Sequence, residues 1–153
     1  MTGDHRAAPR AALAILLVGL AGIAATPAAA QTRWEQQVQQ QLRVISADIA
    51  PQGWRYAGSP LTGQLGKGER ETLRIALREG TQYALVALCD EDCRDLEVTV
   101  LGEDDAVLAQ SAGWSDRPLL EVQPPATGKY RIRVTMAHCG SGPCAYGVGV
   151  FMK

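Results

Sequence analysis

Asparagine is absent from all 153 residues, so no N-linked glycosylation acceptor exists. Histidine is nearly absent, and only His138 lies beyond residue 30. A Ser-His-Asp hydrolase would have to use His138 with Ser111, Ser115 or Ser141, and no G-x-S-x-G elbow accompanies them. The chain has no charge excess either. Its 15 basic and 16 acidic residues are too balanced to point to nucleic acid or to an anionic membrane surface. No internal repeat, low-complexity tract or long linker interrupts it. The longest apolar run, Ala11 to Ala25, has about fifteen residues, whereas a membrane span needs roughly 20.

That run reads instead as the core of a secretory signal peptide over residues 1–30. Arg6 and Arg10 precede it, Thr26-Pro27 break it, and Ala28-Ala29-Ala30 supply the small residues of a cleavage site before Gln31. The segment holds no cysteine, which excludes a lipidated N-terminal Cys. Losing Arg6, Arg10 and Asp4 takes 15 basic and 16 acidic residues to 13 and 15, a formal charge of −2. Export places the protein in the periplasm or outside the cell, with no membrane attachment after cleavage. Cys89, Cys93, Cys139 and Cys144 then read as two disulfides, with three possible connectivities. A four-thiolate zinc site is the rival reading, but C-x3-C and C-x4-C are not the tight knuckle spacings. Loop entropy favours long-range pairing, about 4 kcal/mol against about 2 for a five-residue loop. Geometry favours the local pairs Cys89–Cys93 and Cys139–Cys144, whose Cα atoms fall within bridging distance in most turns.

Residues 31–52 read as an amphipathic helix, opened by the capping-box pair Thr32 and Glu35. Trp34, Val38, Leu42, Ile45 and Ile49 share one face, and Pro51 and Gly53 end it. The stripe is expected to dock on the domain C-terminal to it. From Trp54 to residue 153 the period changes to two. Leu73, Ile75 and Leu77 alternate with Arg74 and Arg78; Leu96, Val98 and Val100 with Glu97 and Thr99; Tyr130, Ile132, Val134 and Met136 with Arg131 and Arg133. Tyr83 to Leu88 is almost continuously apolar, as suits a central strand covered on both faces. With Leu61–Leu65, Val107-Leu108, Leu119–Val122 and Tyr146–Met152, this gives about eight strands. The fold class is mainly β, an antiparallel β-sandwich preceded by one helix.

Three segments carry a family likeness: Tyr83-Ala84-Leu85-Val86-Ala87-Leu88, Asp95-Leu96-Glu97-Val98-Thr99-Val100, and Thr127-Gly128-Lys129-Tyr130 through Val134. Together with Tyr146-Gly147-Val148-Gly149-Val150, they resemble the bacterial pre-peptidase C-terminal domain over roughly residues 69–152. The resemblance implies a jelly-roll-like sandwich that accompanies secreted peptidases, is not itself catalytic, and in some members binds calcium. Here no peptidase domain accompanies it, and the two cysteine pairs are additional.

The acidic runs are the main chemical feature. Asp90, Asp92 and Asp95, with Asp104 and Asp105 in the next turn, are candidate oxygen ligands for calcium, although EF-hand spacing is missing. Trp114, in a Gly-Trp-Ser-Asp loop, is the candidate ligand-binding aromatic. Trp54 and Tyr56 share a strand face and are expected in the core. His138 is expected inside the loop closed by Cys139 and Cys144. Arg74, Arg78, Arg131 and Arg133 on the outward faces read either as a basic stripe or, by default, as solvated partners of acids across strands. The functional expectation is a non-enzymatic module that binds a protein or glycan in the cell envelope or outside. The alternatives are a calcium-stabilised structural module, a peptidase accessory, or an unusual hydrolase around His138.

Overall fold

A computed structural model describes residues 33–153. The signal peptide read at residues 1–30, and the capping box that begins at Thr32, lie outside the described residues. Helix α1 (Arg33–Ile49) runs into a 3-10 turn, Ala50–Gln52. Nine strands follow: β1 (Arg55–Tyr56), β2 (Leu61–Leu65), β3 (Arg70–Leu77), β4 (Tyr83–Cys89), β5 (Cys93–Leu101), β6 (Val107–Gln110), β7 (Leu119–Val122), β8 (Gly128–Cys139) and β9 (Cys144–Met152).

All pairings are antiparallel. One sheet has the order β2-β9-β4-β7, with the two-residue β1 beside the far end of β9; the other has β3-β8-β5-β6. The pairs nest: β5 with β6, β4 with β7, β3 with β8, β2 with β9. A long hairpin folded over on itself gives that nesting, and it defines an eight-stranded jelly roll. The sandwich core follows from strand alternation. Leu96, Val98 and Val100 of β5 meet Met136, Val134 and Ile132 of β8, and this layer packs on Leu85, Ala87, Val148 and Val150 of the other sheet.

The uninterrupted apolar run of β4 has its cause in the helix. Leu85 and Ala87 face the sandwich core, while Ala84, Val86 and Leu88 belong to a second cluster with Val38, Leu42, Trp54 and Phe151. Trp34, Ile45 and Ile49 pack on this cluster as well, so the whole predicted stripe is docked. Two glycines of β9 make room for it. A Cβ at Gly147 would overlap Val38 Cγ1, and one at Gly149 would lie 2.6 Å from Leu42 Cδ2. The helix therefore seats directly on the backbone of β9.

Tyr56 sits at the edge of this second cluster, edge-on to Phe151 with ring centroids 5.0 Å apart. Its buried Oη has no hydrogen-bond partner among the described residues. Burial pushes the phenol up to about 12 from 10.0. The folded state thus holds this proton more tightly than the unfolded chain does. Its contribution is complete below pH 10 and is lost as pH rises from about 10 through about 12. Tyr56→Phe removes both the orphaned hydroxyl and the titration. We expect the variant to be more stable by about 1 kcal/mol at pH 7 in urea unfolding. Its alkaline loss should also be shallower. Some loss remains, because Tyr146 is raised too, by burial and by donating a 2.6 Å hydrogen bond to Glu71 Oε2. A Tyr56→Phe protein less stable than its parent would mean that the hydroxyl has a partner in solution.

Candidate functional site: the stapled end of the sandwich

One end of the jelly roll gathers most of the residues that the sequence singles out. Cys89 closes β4 and bonds Cys93 at the start of β5; Cys139 closes β8 and bonds Cys144 at the start of β9. Both Cα–Cα distances are 5.9 Å. Since β4 neighbours β9 in one sheet and β5 neighbours β8 in the other, the bonds lie side by side and each ties sheet to sheet. Cys93 and Cys139 are direct cross-strand partners. The two loops are also joined to each other: Gly140 N–H donates to Asp92 O at 2.8 Å, and Ser141 Oγ donates to Asp92 Oδ2 at 3.2 Å. Ala145 N–H donates to Asp90 Oδ2 at 2.7 Å.

Beside the staples, residues 111–117 run back along β5. Ser111 N–H donates to Val98 O at 2.9 Å, and Ser111 Oγ accepts from Val98 N–H. Leu96 N–H donates to Ser115 O at 2.8 Å, and Ser115 N–H donates to Asp95 Oδ1 at 3.1 Å. Asp95 is 8 % exposed, so its carboxylate is a buried anchor for this loop. Between these fixed points Trp114 stands 69 % exposed, its ring 5.2 Å from that of His138. An indole so exposed, on a loop so fastened, is preorganised for contact.

His138 is not in the disulfide-closed loop. It lies in β8, paired with Asp95, because the register shifts around Ala137 and Arg94 and turns it to the face away from Met136 and Leu96. The serines that could serve it are engaged elsewhere. Ser111 Oγ accepts from Val98, Ser115 Oγ accepts from Arg117 N–H at 3.0 Å, and Ser141 donates to Asp92. Among the described residues none of them forms a nucleophile–base pair with His138.

The acidic candidates are not brought together. Asp90, Asp92 and Asp95 flank the start of β5, whereas Asp104 and Asp105 follow its end, about 30 Å away for nine residues. Each of the latter also has a local partner. Asp104 Oδ1 accepts from Ala106 N–H at 3.2 Å, and Asp105 pairs with Arg131 at 3.0 Å. No group of three or more potential ligands gathers among the described residues. Melting in millimolar calcium tests the metal reading directly: two acidic runs at opposite ends of β5 cannot share one ion. A rise that Asp92→Ala abolishes would place a site at the stapled end.

The fold defines a class, a helix-backed jelly-roll sandwich with a doubly stapled end, and solved structures resemble it. The pre-peptidase C-terminal domain of a collagenase from Bacillus anthracis superposes with a TM-score of 0.47 at 14 % identity, covering 60 % of this chain and 87 % of that one. Aeromonas hydrophila PliG, a periplasmic inhibitor of g-type lysozyme, gives 0.49 at 16 %, covering 67 % and 90 %. The likeness to the pre-peptidase C-terminal domain is one of fold. No family model matches the sequence, and no curated protein matches it.

Proposed function

We propose that this protein is a non-catalytic, extracytoplasmic recognition module whose central contact is Trp114. The observation that carries the reading is the indole itself, large, exposed and carried on a loop whose next residue, Ser115, is anchored by the buried Asp95 carboxylate. Aromatic side chains of this kind dominate binding energy where they meet a partner. Two features support the rest. All four cysteines are oxidised, as suits an exported chain, and His138 is occupied by Trp114 rather than by a serine.

A benzophenone-bearing amino acid placed at Trp114 in the producing cells, which keeps a large aromatic ring at that position, should trap a discrete protein or glycan adduct. The same residue at Val107, also exposed but on β6 near the other end of β5, should not. Trp114→Ala should leave the melting temperature unchanged, since a surface indole adds little to folding. Adducts that are absent, or identical from both positions, would sink the reading.

A further inference from the structure

Sheet β3-β8-β5-β6 turns a face to solvent that is positive along half its width. Outward positions of β3 and β8 hold Arg70, Arg74, Lys129, Arg131 and Arg133, and Arg78 follows β3. The register sets these cations against one another or against neutral groups. Arg74 opposes Arg131, Arg133 lies between Thr72 and Thr99, Arg70 opposes Thr135, and Lys129 opposes Ala76. The expected pairing with acids across strands is therefore not what the structure shows. Among the described residues Arg131 alone has a salt bridge, to Asp105. The acids of β3 and its approach are engaged off this face, Glu69 with Gly66 N–H and Glu71 with Tyr146. Like charges directly opposite one another destabilise a sheet; Asp105 already neutralises Arg131, and an anionic occupant would do the same for Arg74.

The strip is two strands wide, about 5 Å between backbones, and more than roughly 20 Å long. Its neighbours are acidic: Glu97 on β5, and Glu103 to Asp105 beyond β5. A flat anionic bilayer would meet all of those acids, whereas a linear polyanion following β8 passes only Glu97, across from Thr135, and Asp105, which Arg131 already neutralises. His138 and Trp114 stand on the same face, roughly 15 Å beyond Arg133 along β8. Cations in line with an exposed aromatic ring suit a chain that offers both carboxylates and ring faces.

We propose that an acidic polysaccharide lies along β8, a sugar ring on Trp114 and its carboxylates on Arg133, Arg74 and Arg70. The proposal rests on the recognition reading above and gives it a ligand class. The probe is a hexasaccharide of uronic acids, followed by calorimetry on the full folded chain. Binding is expected to weaken at least tenfold between about 50 mM and 0.5 M salt, as screening predicts. It should weaken at least tenfold in Arg74→Ser/Arg133→Ser, whose melting temperature should not fall because a like-charge contact is relieved. Trp114→Ala should weaken it as well.

Equal binding of a neutral hexasaccharide, of single-stranded DNA or of phosphatidylglycerol vesicles would overturn the proposal. So would arginine variants that bind as before. If the uronate chain fails while crosslinking at Trp114 still traps an adduct, the ligand class falls and the recognition reading stands. If Trp114→Ala binds normally while the arginine pair does not, the contact at Trp114 falls, and with it the proposed alignment.

Discussion

Deleting residues 31–51 should cost on the order of 5 kcal/mol, enough to unfold a marginal domain or drive it to self-associate. The deletion strips cover from both partners. On the helix, Val38 and Leu42 are buried, with Trp34, Ile45 and Ile49 packed around them. On the sheet, Ala84, Val86, Leu88 and Phe151 would face water. A fully buried aliphatic or phenyl side chain contributes about 1.5–3 kcal/mol, most of it offset by the entropy of ordering the helix, which keeps the net cost well below the gross burial. The uncovered strands would form a contiguous apolar patch of a kind that soluble monomers rarely show. A truncate that stayed monomeric with an unchanged melting temperature would show that the helix is not part of the fold.

A milder experiment locates the contact. Leu42→Ala should cost about 2–5 kcal/mol by opening a cavity. Gly149→Ala should cost about 1–3 kcal/mol by overpacking, because its new Cβ would lie 2.6 Å from Leu42 Cδ2. The double variant should cost less than the two together, since the shortened side chain vacates the space the methyl needs.

The same contact marks how far the fold was legible in the sequence. The run Tyr83–Leu88 reads as doubly covered from its composition, and the helix stripe reads as apolar from its spacing. That the one covers the other depends on Gly147 and Gly149, whose missing side chains admit Val38 and Leu42, and two glycines in a strand do not announce a helix. Local signals served the candidate site less well. The acidic run Asp90–Asp95 and the acidic turn Glu103–Asp105 are close in sequence, but the strand between them, β5, carries them to opposite ends of the sandwich. His138 looks like part of a disulfide loop until a register shift returns it to the strand beside Asp95. The outward arginines are plain from alternation, yet their cross-strand partners are not. Arg74 and Arg131 lie far apart in the chain, and only the nested pairing of the jelly roll makes them neighbours.

Removing both disulfides is the second large effect expected. Each closes a loop of about five residues, which in the chain-entropy view stabilises by about 2 kcal/mol, so the pair is worth about 4. The bonds are not independent, however. Cys93 and Cys139 face each other across β5 and β8, and Asp92 hydrogen-bonds the opposite loop through Gly140 and Ser141. One staple therefore holds the sheets in position for the other. Cys89→Ala/Cys93→Ala and Cys139→Ala/Cys144→Ala should each cost about 2 kcal/mol in urea unfolding, and the fourfold variant should cost more than their sum. The loss should also reach the Trp114 loop, since Cys89 Sγ lies 3.3 Å from Asp116 O, two residues beyond Trp114. Strict additivity would mean that each bond acts only on its own loop. Non-reducing peptide mapping tests the arrangement directly. The opposed positions of Cys93 and Cys139 make a bond between them the nearest competitor, and a fragment joining those two segments would overturn the parallel staples.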